Sequence, residues 1–185
     1  MKIEGQFSKE NRQEDIIDEK VAKLFIRQLA HEMYNHNLYL SFASYYSRQG
    51  LEVISEYFKQ RAAEEKHHHD WIYNFLNDCD VEYVYPEIPE VKETWDNLET
   101  PFQLTVDQEI LTTAMIYEIA DEAKEQGDWI SMQFLMSDDE SRGALIREQH
   151  EEEAISKTIL DIAKMEGSWL RKQKTIMDAY KGDND

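Results

Sequence analysis

Apolar residues recur at helical spacing along most of this chain, in four long runs and one short one. Between Asp15 and Ser47 the repeat is carried by Val21, Phe25, Leu29, Tyr39 and Ala43, which predicts an amphipathic helix. Gly50 interrupts it, and Ile54, Phe58, Ile72 and Phe75 carry a second helix over Leu51 to Asn77. The stretch VEYVYPEIPEVKETWDNLETP follows, with three prolines and no helical period. It reads as a long connection. A third helix is expected from TPFQLTVDQE to Gly127, and a fourth that stops near Glu166, where Gly167 is a suitable C-terminal residue. A short fifth segment, SWLRKQKTIMDAY, has Trp169, Ile176, Met177 and Tyr180 to bury.

Loop lengths arrange these helices. The short loop between the first two makes them antiparallel neighbours, while a connection of roughly 20 residues can cross the length of a bundle. The expected fold is all-α: a four-helix bundle with a long crossover between helices 2 and 3, plus a short C-terminal fifth helix. Residues 1 to 15 read as an N-terminal extension, 16 to 181 as one domain and 182 to 185 as a frayed tail.

The formal charge of −19, from 39 acidic and 20 basic residues, argues against nucleic acid and anionic membranes as partners and favours cations. Solubility alone would also account for it. The single cysteine, Cys79, has no partner for an internal disulfide, which fits a reducing cytoplasm. The N-terminus lacks the apolar core of a signal peptide, and no apolar run approaches the ~18 residues of a membrane span.

The chemistry lies in carboxylates on apolar faces. Glu32 is three residues after Leu29 and seven before Tyr39, so it shares their face, and His36 follows four residues on. Glu65 is seven residues from both Phe58 and Ile72, with His68 three further on. Glu109 follows Phe102 by seven and precedes Ile116 by seven. Three glutamates directed into one core repel one another and resist ionisation. A bound cation removes that cost. Glu65-x-x-His68 is the spacing by which one carboxylate bridges two metals while the histidine caps one, and oxygen-rich ligation with one imidazole suits iron or manganese. His67 and His69 stand about 100° around the helix from His68 and are expected at the surface or an interface.

With these motifs in place the chain resembles the non-haem bacterial ferritins over about residues 20 to 180. EMYNHNLY, from Glu32 to Tyr39, resembles the first-helix motif, and RAAEEKHHHDW, from Arg61 to Trp71, the second. DNLETPFQLTVDQE, ending on Glu109, resembles the entry to the third helix, and EQHEEE, from Glu148 to Glu153, the fourth-helix motif. The resemblance implies that Glu32, Glu65 and His68 hold one iron and that Glu65 and Glu109 hold a second, with Gln149 nearby and Tyr39 beside the centre. Glu64, Glu148, Glu151 and Glu152 match an accessory third iron site, although a solvated acidic face explains the same residues. It further implies a di-iron ferroxidase: Fe(II) oxidised to Fe(III) by O₂ (or H₂O₂) and stored as mineral inside a homo-oligomeric, 24-subunit cytoplasmic shell.

The chain departs from that pattern in several places. Glu109 and Gln149 are 40 residues apart, longer than the family spacing by about seven residues, or close to two helical turns. At the family spacing Arg142 would stand where the glutamine belongs. Either both arms of the hairpin are lengthened around Gly127, or MSDDESRG, Met136 to Gly143, interrupts the fourth helix, with Ser137 and Glu140 as a capping box. The second reading is favoured. His36 on the inner face offers an additional ligand. The alternatives, a haem-containing bacterioferritin or a rubrerythrin-like di-iron peroxidase, carry a second Glu-x-x-His in helix four. Here the residue three before His150 is Arg147, and no Cys-x-x-Cys pair exists. With 7 methionines, haem ligation stays open on sequence grounds.

Overall fold

The computed structural model describes residues 16–137 and 144–183. Its first hairpin pairs α1 (Glu19–Arg48) with α2 (Glu52–Asp78). Their 30 and 27 residues give rods about 40–45 Å long. Asp18 starts α1, its Oδ1 accepting from the Lys20 amide at 2.8 Å, which satisfies one of the orphan donors of the first turn. The turn between the helices depends on Gly50, whose φ of +72° would strain any residue with a Cβ.

The crossover, residues 80–99, carries no helix and is pinned along the hairpin. Tyr46 donates to the Leu98 carbonyl at 2.6 Å, and Arg48 to that of Glu93 at 2.5 Å. Trp95 packs edge-on against Phe42, with ring centres 4.9 Å apart. Asn97 Oδ1 then accepts from the amides of Glu99 and Thr100 at 2.8 and 2.9 Å. Pro101, in the first turn, has no amide to leave unpaired, and α3 (Thr100–Gln126) begins there.

Gly127, at φ +69°, ends α3, and Asp128 starts α4 (Trp129–Leu135) by accepting from the Ser131 amide at 3.0 Å and its hydroxyl at 2.8 Å. The same carboxylate accepts from the Asp18 amide at 3.1 Å, so one side chain ties the start of α1 to the start of α4. The fourth helix of the bundle is in two pieces, α4 and α5 (Leu145–Lys164). The break falls at the polar segment favoured for an interruption. The segment's interior, residues 138–143, lies outside the described residues, and with it Glu140 of the expected capping box. The expected extension, residues 1–15, and the last two residues lie outside them too. The C-terminal helix α6 (Trp169–Asp183) packs on α5 and α2 and runs on past the expected boundary at 181.

The core is divided. One apolar cluster is rich in aromatic rings and holds Tyr39, Phe42, Tyr46, Tyr57, Phe58 and Phe102, with Ile159, Ile176 and Tyr180. The other holds Val21, Phe25, Leu29, Ile72, Leu76, Ile116 and Leu145. Each fully buried large side chain contributes roughly 1.5–3 kcal/mol. Between the clusters every long helix switches to polar residues at the same level: Glu32 and Asn35 on α1, Glu65 and His68 on α2, Glu109 and Thr112 on α3, Gln149 on α5. No helix among the described residues is long and apolar enough to cross a membrane.

Candidate metal centre

The polar layer is fully buried, and its acidic groups converge. Glu32 and Glu109 are 0% exposed, Glu65 1% and His68 3%. Ligand atoms of Glu32, Glu65 and His68 lie within 4.8 Å of one another, and so do those of Glu65, Glu109 and Glu152. The two sets share Glu65. Two adjacent positions with a common carboxylate are the donor arrangement for a pair of hard cations, and a lone imidazole among oxygens fits Fe(II) better than a thiolate-seeking metal.

Hydrogen bonds orient the donors. Gln28 Nε2 donates to Glu32 Oε1 at 2.6 Å, while Glu32 Oε2 is buried with no partner. Asn35 Nδ2 reaches Glu65 Oε2 at 3.4 Å. Glu109 is fully engaged: Oε1 accepts from the Tyr39 hydroxyl at 2.5 Å and from Arg61 Nη2 at 2.7 Å, and Oε2 accepts from Gln149 Nε2 at 2.9 Å. His68 Nε2 lies 3.2 Å from Glu148 and 3.6 Å from Glu152.

Without a cation these groups hold protons away from their usual ranges. Burial, followed by the carboxylates of Glu109, Glu32 and Glu152, pushes Glu65 well above the ordinary carboxylate range. Burial raises Glu152 to about 7, although Arg61 and His68 pull it down. For His68 burial acts downward, but Glu152, the bond to Glu148 and the Glu32 charge outweigh it and lift the imidazole to about 10. Tyr39 is raised by burial and by Glu109 and Glu65. A divalent cation would replace those protons and let the carboxylates ionise.

The residues expected at an accessory site divide. Glu148 and Glu152 face His68, and Glu152 also belongs to the second donor set. Glu64 is half-buried, takes Arg61 Nη1 at 2.7 Å, and accepts a hydrogen bond from Tyr180 on α6. Glu151 is exposed and lines a surface recess with Leu135, Met136, Ile146 and His150, so the structure does not bring it to the other three.

Three histidines differ from expectation or refine it. His36 does not join the donors: its Nδ1 meets the Ala62 carbonyl at 2.7 Å, because that face of α1 lies directly on the α2 backbone. His69 is buried rather than at the surface, since the crossover returns over α2 and its Tyr85 hydroxyl bonds the ring. His67 is exposed and packs on Trp71. Residues not assigned from sequence also belong to the layer: Arg61, Gln28, Asn35, and His31 with Thr112 (2.8 Å). Arg61 and Gln28 each stand four residues before a predicted ligand and Asn35 stands three after one, so the helical phase that selected the ligands points to these residues as well.

A helical bundle with two buried donor sets sharing one glutamate defines a di-iron carboxylate protein. The Ferritin family model, described as a ferritin-like domain, matches residues 22–165, and the chain belongs to that family. It is 30% identical over 146 residues to a probable bacterial non-heme ferritin-like protein of Haemophilus influenzae, covering 79% of this chain and 84% of that one. It is 28% identical over 152 residues to the bacterial non-heme ferritin of Campylobacter jejuni, covering 82% and 87%. Among solved structures, an open-pore ferritin from the hyperthermophilic archaeon Archaeoglobus fulgidus superposes with a TM-score of 0.77 at 25% identity, over 91% of this chain and 99% of that one. The non-heme relatives weigh against the haem alternative, and the ferritin likeness supports a homo-oligomeric assembly.

Proposed function

We propose that this chain is an iron-storage ferritin that oxidises Fe(II) within each subunit and holds the Fe(III) product inside a 24-subunit cytoplasmic shell. The observation that carries this reading is the pair of donor sets joined through buried Glu65. In this reading Glu32 and His68 hold one Fe(II), Glu109 and Glu152 the other, and Glu65 bridges them. Gln149 and Tyr39 hold Glu109 in place. Two Fe(II) lose one electron each, and O₂ takes both with two protons to give H₂O₂ and two Fe(III). Fixed carboxylates favour the higher charge of the product.

Exposed apolar side chains on the long helices, among them Leu40, Tyr73, Ile110, Leu111 and Tyr117, support burial against other copies. The net charge of −19 supports attraction of Fe(II) to the shell.

Stopped-flow oxidation of Fe(II) by the assembled protein tests the reading. A fast phase that saturates at two Fe(II) per subunit and vanishes in Glu65→Ala is expected. A fast phase that survives that change would overturn it. Mass measurement of the native particle tests the subunit number.

A further inference from the structure

Arg61 occupies a place that a ferroxidase centre has no evident need to fill. It is on α2, one turn before Glu65, and is 1% exposed. Its Nη2 lies 2.7 Å from Glu109, 3.3 Å from Glu152 and 3.4 Å from Glu65. Those three glutamates are the whole of the second donor set. One nitrogen of a permanent cation therefore contacts an oxygen of every acidic ligand that a metal at that position would use. Arginine cannot deprotonate to make way.

The other position is different. Of its three members the guanidinium touches only Glu65, through the shared carboxylate. Glu32 Oε2 there is buried and without a partner, whereas both Glu109 oxygens already accept hydrogen bonds. A cation entering the first position gains an unsatisfied oxygen. A cation entering the second must break the Arg61–Glu109 bond and meet a positive charge at close range.

The guanidinium also has somewhere to go. Its Nη1 is 2.7 Å from Glu64, which is 31% exposed at its side chain and held by Tyr180 on α6. Its Nε has no partner, so the head is held only by its two terminal nitrogens. Withdrawal towards Glu64 keeps that ion pair while freeing Glu109, Glu65 and Glu152, the last of which both terminal nitrogens now contact.

We propose that Arg61 is an internal counter-cation for the second metal position, and that it makes the two positions unequal: the second divalent ion binds only by displacing the guanidinium from Glu109. This rests on the two-position reading of the centre given above.

Zn(II), which is not oxidised, tests it by anaerobic calorimetry on the assembled protein, with anomalous diffraction to locate the ions. In the wild type one ion is expected at Glu32/Glu65/His68, and a second at Glu65/Glu109/Glu152 at least ~10-fold more weakly. Arg61→Gln should bring the second affinity to within about threefold of the first, with a smaller gain at the first through the shared Glu65, while Arg61→Lys, which keeps the charge, should preserve a gap. Crystals at low and at saturating Zn(II) give a readout independent of any variant: the Arg61–Glu109 contact should persist at low load and be broken at full load. Equal affinities in the wild type, an unchanged ratio in Arg61→Gln, or a contact that survives with both ions bound would each overturn the proposal. Any of these leaves the two-position reading standing. No Zn(II) at Glu32/Glu65/His68 at any load would overturn both.

Discussion

Glu32 and Glu109 are both fully buried carboxylates at the same level of the bundle, yet they are satisfied in opposite ways. Glu32 has one donor, Gln28, and one orphan oxygen. Glu109 has three donors, one of them a guanidinium. An unpaired buried carboxylate oxygen costs stability until a cation arrives. A carboxylate already paired with arginine has its charge compensated without one, and removing either partner leaves the other buried and uncompensated. Two ligands that look equivalent by spacing therefore differ in what they do in the metal-free protein. One waits for metal, and the other helps to hold the fold.

Several experiments would break or sharpen that contrast. The largest effect is expected for Glu65→Gln, which alters both positions at once. Fe(II) oxidation should fall by at least ~100-fold, while the melting temperature of the metal-free protein should not fall, since burial and the neighbouring carboxylates already favour the neutral form of Glu65, which the amide imitates.

Glu32→Gln and Glu109→Gln come next and should separate cleanly. Glu109→Gln should cost the metal-free protein about 3 kcal/mol by breaking a buried ion pair. Glu32→Gln should cost little in stability but remove the tight metal. Equal destabilisation in thermal melts would mean that the two carboxylates do not differ as described.

Metal affinity should also depend on pH. With His68 lifted to about 10, a metal at the first position must displace its proton. Binding therefore releases at least one proton, and affinity rises with pH, by about tenfold per unit for each proton. Zn(II) titrations at pH 6, 7 and 8 measure the slope, and His68→Gln should lower it by one proton. A slope indifferent to that change would show that His68 is not displaced.

Tyr39→Phe removes one of three hydrogen bonds to Glu109, a loss of about 1 kcal/mol, so a several-fold weakening confined to the second position is expected by calorimetry. The smallest effect belongs to His36→Asn. With its ring on the Ala62 carbonyl, its replacement should leave the number of bound metals unchanged.

The fold was largely legible because the helices are long and strongly periodic. The bounds expected for α2, Leu51 to Asn77, differ by one residue at each end from those observed, Glu52–Asp78. The same periodicity placed Glu32, Glu65, His68 and Glu109 inward, the likeness of EQHEEE to the ferritin fourth-helix motif added Gln149, and all five are buried together. Phase alone does not give distance, however. His36 has the correct phase, but α2 approaches so closely there that the ring meets backbone rather than the cavity. His69 was hidden for another reason: the crossover that covers it has no period from which a path can be read. Arg61 shares the inward phase, four residues before Glu65, but phase does not say which carboxylates a long side chain reaches. Only three-dimensional placement shows one guanidinium spanning Glu64, Glu65, Glu109 and Glu152.

The division of the fourth helix bears on how this sequence tolerates change. In an unbroken helix a single inserted residue rotates everything after it by about 100°, which would carry Gln149 and Glu152 out of the centre. Here α4 ends at Leu135 and α5 starts at Leu145, each with its own buried anchors. Residues can be gained or lost between them while the angular setting of α5 stays under the control of its own packing. A chain divided in this way can vary in length at this point over evolutionary time, or under an engineer's hand, without redesign of the metal-binding face.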